Sequence, residues 1–280
     1  MIILKNIFSK TAELSNGVLI PMLGFGLWQI QDGKETENTV KDALELGYRL
    51  IDTAEGYANE AGVGTAVHES DIAREELFIT TKVNDPSQGY DNTLRAFEAS
   101  ARRLRTDYVD LYLIHWPMRS TYVETWRAFV RLYEEKRVRS IGVSNFKIRH
   151  IEAIVQDSGV WPMVNQIERH PQQTQKEMLA YGKDNGIIIE AWSPLMQGNL
   201  QNPVLSEIAQ KYGKTPAQIV LRWHLQDRVV IIPKSIHKNR LLENSQLDAF
   251  KLDEEDMQRI NALNEDRYIL VDPDNFPWDA

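Results

Sequence analysis

The sequence predicts an α/β fold, a single (β/α)8 TIM barrel with an N-terminal β-hairpin and extra helices, on three observations. Short apolar runs alternate with longer amphipathic stretches along nearly the whole chain. Eight such pairs fit within 280 residues. The runs are apolar throughout, as in Ile187-Ile188-Ile189 and Val229-Val230-Ile231-Ile232. Parallel strands buried on both faces read this way, whereas half-exposed antiparallel strands alternate. Eight strand–helix units in one chain of this length point to a closed barrel rather than an open doubly wound sheet. No linker or low-complexity segment divides the chain, so residues 1–280 are expected to form one domain.

The elements follow in order. A hairpin turns at Asn16-Gly17, a residue pair suited to a tight reversal. The first strand covers 22–26 and is followed by a helix at 36–46. Strand 49–52 pairs with helix 60–69, strand 77–83 with helix 92–103, and strand 109–114 with helix 122–134. Next come strand 140–144 with helix 148–156, and strand 163–167 with helix 176–185. Strand 187–192 precedes two helices, 204–212 and 216–226, and the last strand, 229–233, precedes a helix at 240–245. A final acidic helix at 253–263 opens on Asp253, with Asp256 three residues on, close to a capping box. The Pro- and Asp-rich tail, 267–280, is expected to be a loop over the barrel mouth.

Composition removes several function classes. Lys and Arg number 32 against 40 Asp and Glu, a net charge of −8, which argues against a nucleic-acid binder and leaves room for a local phosphate pocket. There is no cysteine, so disulfides, thiolate catalysis and Cys-rich zinc sites are excluded. The opening Met1-Ile2-Ile3-Leu4 is interrupted at Lys5, too short for a signal peptide or a membrane span. A cytoplasmic monomer acting on a small molecule, with no membrane or nucleic-acid partner, is expected.

Barrel chemistry lies at the C-terminal ends of the strands. Those positions hold Asp52, Lys82, His115, Ser144, Asn145, Gln166, Glu168, Trp192 and Lys234-Ser235. Singly, each has an ordinary explanation: Asp52 as a loop cap, Tyr57 as a half-buried aromatic, His115 as a satisfied core histidine. Their recurrence at one end has no packing explanation and suggests a lined pocket. The six histidines show no His-x-His or His-Glu-x-x-His spacing, and Glu168 with His170 beside Arg169 makes a poor metal pair, so no metal is expected. A Schiff-base role for Lys82 needs a neutral amine, which Asp52 opposes. Gly24-Phe25-Gly26 has Gln29 where a dinucleotide fingerprint needs its third glycine.

These residues carry a family resemblance. The segment from Ile51-Asp52-Thr53 to Tyr57-Ala58-Asn59-Glu60 resembles a signature of the aldo-keto reductases. Thr80-Thr81-Lys82, Leu113-Ile114-His115-Trp116-Pro117 and Gly142-Val143-Ser144-Asn145-Phe146 match further motifs in order. So do Asn165-Gln166-Ile167-Glu168, Trp192-Ser193-Pro194-Leu195, and Ile232-Pro233-Lys234-Ser235 with Arg240, Glu243 and Asn244. Short loops and a brief tail resemble the bacterial 2,5-diketo-D-gluconate reductase group.

The resemblance implies NADPH-dependent reduction of small aldehydes and ketones, with Asp52, Tyr57, Lys82 and His115 as a catalytic tetrad. It implies a cofactor site of Gly26, Leu27, Trp28, Ser144, Asn145, Gln166, Trp192, Ser193, Leu195, Lys234, Ser235, Arg240, Glu243 and Asn244. Trp28 and Trp116 would wall the substrate pocket beside Tyr57 and His115. Trp192 and Leu27 depart from the tyrosine and threonine that many relatives carry. Slow NADPH-binding channel subunits share the resemblance, but carry added N-terminal segments and longer loops. Physically, reduction leaves an alkoxide that needs a proton, and a free phenol with pKa ~10 is a poor donor at neutral pH. A lysine ammonium lowers that pKa, and a carboxylate keeps the lysine charged.

Overall fold

Residues 6–276 are described by the computed structural model; the expectations for Met1-Ile2-Ile3-Leu4 and for 277–280 lie outside it. Strands β1 (Thr11–Glu13) and β2 (Leu19–Pro21) form the antiparallel hairpin, with Ala12 opposite Ile20. Its turn is closed by Gly17 N–H donating to the Leu14 carbonyl, with Gly17 at φ +83°. An L side chain rarely adopts that conformation, which explains the glycine. Pro21 leads directly into the barrel, so the hairpin sits at the end opposite the strand C-termini. There Asn16 Nδ2 donates to the Arg139 carbonyl, 2.9 Å away.

The barrel strands are β3 (Gly24–Gly26), β4 (Leu50–Asp52), β5 (Phe78–Val83), β6 (Val109–Ile114), β7 (Val138–Ser144), β8 (Val164–Glu168), β9 (Ile188–Trp192) and β10 (Val230–Ile231). All pair in parallel with their chain neighbours. A bridge between Leu23 and Ile231 returns the last strand to the first and closes the barrel. β10 is shorter than expected. Pro233 cannot donate to a ladder, so the strand ends early, although Ile232 N–H still reaches the Ala191 carbonyl at 3.4 Å.

Helices α1 (Lys34–Leu46), α2 (Glu60–His68), α3 (Tyr90–Leu104), α4 (Tyr122–Glu134), α5 (Ile148–Ser158) and α6 (Lys176–Asn185) each follow a strand. After β9 come α7 (Pro203–Tyr212) and α8 (Pro216–Gln226), and after β10 come α9 (Lys238–Ser245) and α10 (Glu254–Asn261). Asp253 caps α10 by accepting from Asp256 N–H at 2.9 Å, as its spacing predicts. α3 starts two residues early because Gly89, at φ +96°, opens it and donates its N–H to Thr125 Oγ1.

One apolar core fills the barrel and the layer beneath its helices, where Phe25, Tyr48, Ile79, Phe97, Tyr112 and Phe129 are buried. A second small core joins the extra helices: Leu205 and Ile208 of α7, Trp223 of α8 and Ile260 of α10. The barrel interior is crowded. A Cβ on Gly142 would stand 2.6 Å from the Val164 carbonyl oxygen.

Candidate active site

Three neighbouring strand ends bring the predicted tetrad together. Asp52 ends β4 and Lys82 is the penultimate residue of β5; His115 follows β6. Tyr57 lies on a single 3-10 turn, Glu55–Tyr57, whose position is set by its neighbours. Glu55 accepts from Asn84 N–H and Ser87 Oγ, both at 2.9 Å, binding this turn to the loop after β5. Buried Asn59 donates to the Leu27 and Ile30 carbonyls and accepts from Thr53 Oγ1, which ties the β3 and β4 loops.

Lys82 is fully buried and spends its three hydrogens on three acceptors. It donates to Asp52 Oδ1 at 2.7 Å, the Thr53 carbonyl at 3.0 Å and Tyr57 Oη at 3.2 Å. Burial would strip the ammonium of its proton, but Asp52, with Tyr57 beside it, outweighs burial and raises the Lys82 pKa. Burial also pushes Asp52 up, against Lys82 and Gln166. For Tyr57 the expected pull of Lys82 is present, yet desolvation is larger and the phenol stays above its ordinary value. The phenol is therefore protonated at neutral pH, with a cation in place to receive the phenolate once the proton leaves.

The His115 ring meets the Tyr57 ring edge-on, centroids 5.5 Å apart. Burial, with the Lys82 charge, lowers its pKa to about 3. The imidazole is thus neutral, with one N–H to donate to a substrate oxygen.

The residues expected on the cofactor side form a second network on β7 to β9. Ser144 Oγ donates to the Gln166 carbonyl at 2.8 Å, and Asn145 Nδ2 donates to the His115 carbonyl at 3.0 Å. Trp192 Nε1 donates to Asn145 Oδ1 at 2.9 Å, fixing the half-buried indole by its edge. Asn145 at φ +63° and Ser193 at φ +47° adopt left-handed backbone, which asparagine tolerates better than most residues. The Gln166 side-chain nitrogen is committed to carboxyl groups, 2.7 Å from Asp52 Oδ2 and 2.7 Å from Glu190 Oε2. The Leu27 side chain is fully buried in the core, while Trp28 beside it is half-exposed. Gly26 lies against β10, its N–H donating to the Pro233 carbonyl at 3.4 Å.

Lys234 and Ser235 lie on the segment between β10 and α9, and Arg240, Glu243 and Asn244 lie on α9 itself. Lys234 and Arg240 are exposed and make no ion pair among the described residues, whereas adjacent Lys238 is engaged by Asp42 and Glu45. Ser235 Oγ accepts from His237 N–H at 3.0 Å. Glu243 Oε1 accepts from Thr215 Oγ1 at 2.7 Å, so this carboxylate also secures the N-terminus of α8.

The tail crosses the mouth. Phe276 stacks on Trp116 at 4.4 Å, and Lys147 pairs with Asp272 at 2.7 Å. Asp274 is bound by Lys147 and Arg149. Glu168, buried at the end of β8, accepts from Ile269 N–H at 2.5 Å and stands 2.9 Å from His170 Nε2. It therefore anchors the tail.

Sequence reasoning passed over Glu190, Glu55 and the Trp116–Phe276 stack. Glu190 carried a usable signal: an acid inside an otherwise apolar strand, at a position buried on both faces.

Comparison with known proteins gives a consistent result. Residues 22–265 match the Aldo/keto reductase family. Glyoxal reductase of Bacillus subtilis is 52% identical over 265 residues, covering 94% of this chain and 96% of the relative. Methylglyoxal reductase DkgA of Escherichia coli K12 is 43% identical, covering 94% and 97%. Among solved structures, a mutant of Gox0644 in complex with NADPH superposes with a TM-score of 0.91 at 44% identity, covering 95% and 98%.

Proposed function

The chain belongs to the aldo/keto reductase family, and we propose that it reduces small aldehydes and ketones with NADPH, α-dicarbonyls foremost, using Tyr57 as proton donor. The observation that carries this reading is the buried Asp52–Lys82 pair reaching the half-buried Tyr57 phenol, with neutral His115 beside it. Keto-sugar acids and ketoesters belong to the same substrate class. The names of the two bacterial relatives, a glyoxal and a methylglyoxal reductase, favour dicarbonyls.

NADPH, when bound, supplies the hydride. The chain's own residues then have distinct tasks. His115 donates to the carbonyl oxygen and fixes its approach. Tyr57 gives up its phenolic proton as charge develops on that oxygen, and Lys82 stabilises the phenolate left behind. Asp52 keeps Lys82 charged. Trp28 and Trp116 wall the pocket and exclude water. Ser144, Asn145 and the Gln166 side-chain oxygen suit a carboxamide, and Trp192 offers an edge-anchored aromatic face. Lys234 and Arg240, two cations without an ion pair among the described residues, stand near Ser235 in a chain of net charge −8 and fit an adenosine 2′-phosphate.

NADPH deuterated at the transferable position, incubated with the protein and methylglyoxal, tests this reading. Deuterium on the carbinol carbon of the product is expected. Cofactor binding without any labelled alcohol from methylglyoxal, aromatic aldehydes, ketoesters or diketo acids would overturn it.

A further inference from the structure

An acid that the chemistry above does not use stands within the tetrad's hydrogen-bond network. Glu190 is fully buried and shares the barrel interior with Asp52 and Lys82, paired in register with Gln166 on β8 and with Val230 on β10. Its Oε2 accepts from Gln166 Nε2 at 2.7 Å, and the same nitrogen donates to Asp52 Oδ2 at 2.7 Å. Its Oε1 has no partner among the described residues. One amide group thus bridges two carboxyls, while the one ammonium in the network, Lys82, reaches only one of them, Asp52.

This arrangement dictates a charge state. A buried carboxylate needs a counter-charge, and Lys82 supplies one for Asp52 alone. The groups bearing on Glu190 are Asp52 from β4, Lys82 from β5 and Gln166 from β8; β10 presents an apolar residue. Burial, reinforced by the Asp52 charge, lifts the Glu190 carboxyl to about 8 against the opposing pull of Gln166 and Lys82. An ionised Glu190 in turn raises the pKa of Tyr57.

We propose that Glu190 is a positioning residue for the tetrad. Protonated, it holds the Gln166 amide against Asp52 and leaves Asp52 the sole counter-charge to Lys82. Ionised at alkaline pH, it makes Tyr57 hold its proton more tightly, which extends reduction to higher pH. The proposal rests on Tyr57 being the proton donor, and loss of turnover in Tyr57→Phe checks that premise independently.

The experiment is the pH dependence of kcat/KM for methylglyoxal reduction by NADPH in wild type and Glu190→Gln. Near pH ~6 the two should agree within about threefold, since glutamine mimics the neutral acid. The alkaline midpoint of Glu190→Gln should fall by at least about half a pH unit, because the charge that raised the Tyr57 pKa is gone. A midpoint that stays in place, with the rate scaled equally at every pH, would overturn the proposal. A measurement on the wild-type holoenzyme needs no variant to fold. Its infrared difference spectrum between pH ~6 and ~10 should show a buried protonated carboxyl being lost. No such loss would also overturn it.

Discussion

Replacing Lys82 by methionine removes the one cation that compensates Asp52. Lys82 and Asp52 are 0% and 2% exposed and 2.7 Å apart, so little water can replace the lost charge. Breaking a buried pair from one side typically costs about 3–5 kcal/mol. The alternative open to the variant is to fold with Asp52 protonated. From an ordinary carboxyl pKa of 3.8, that costs about 4 kcal/mol at neutral pH. The two routes agree, so Lys82→Met should lose about 3–5 kcal/mol in urea unfolding at neutral pH. At roughly 2 °C per kcal/mol for a chain of this size, Tm should fall by roughly 6–10 °C.

The pH dependence adds a sign. In the variant, Asp52 has a folded pKa raised above its unfolded value, so its penalty is present above the unfolded pKa and fades as pH falls toward ~4. The gap between wild type and variant should narrow on acidification. Asp52→Asn combined with Lys82→Met should recover much of the loss, since no lone charge is left behind. A Lys82→Met protein as stable as wild type at neutral pH, or a deficit that does not change toward pH ~4, would refute the reasoning.

Three other predictions follow from separate parts of the molecule. Arg240→Ala should weaken NADPH binding roughly ten- to hundredfold and leave NADH nearly unchanged, the ~1.5–3 kcal/mol of one charge-assisted contact, read by fluorescence titration. His115 has a folded pKa of about 3 against an ordinary 6.5. Its unfolded form therefore takes up a proton first, and stability falls as pH drops from the unfolded value toward the folded one. His115→Gln should flatten that slope by up to one proton's worth in denaturation series. Gly64→Ala would place a Cβ 2.4 Å from the Arg103 carbonyl oxygen, forcing α2 away from the end of α3. A loss of about 1–3 kcal/mol is expected in urea unfolding.

How much of this was legible in the sequence depends on how each feature is encoded. Apolar runs buried on both faces identified the strands, and ionisable residues at their ends identified Asp52, Lys82 and His115. The tetrad stands out because packing gives no reason for a lysine at the end of Phe78-Ile79-Thr80-Thr81. Features made by distant segments left no local trace. The Lys147–Asp274 and Arg149–Asp274 pairs join residues 127 and 125 apart, and the Phe276–Trp116 stack joins the tail to the loop after β6. Tyr57 was located by motif, but its 3-10 turn is held by Glu55 reaching the next loop. Glu190 lay inside an apolar strand, where a strand-end reading does not look. The net balance at Tyr57 was equally hidden, because desolvation depends on the walls of the pocket and residue identities give only the Lys82 side of the balance.

The central claim is that Tyr57 supplies the proton, and NADPH consumption by wild type and Tyr57→Phe at saturating methylglyoxal tests it most directly, with cofactor affinity measured in parallel. The account predicts a loss of about 10²–10⁴ in kcat with NADPH binding essentially unchanged, the range expected when a positioned general acid is removed. A Tyr57→Phe protein that turns over at the wild-type rate would contradict it.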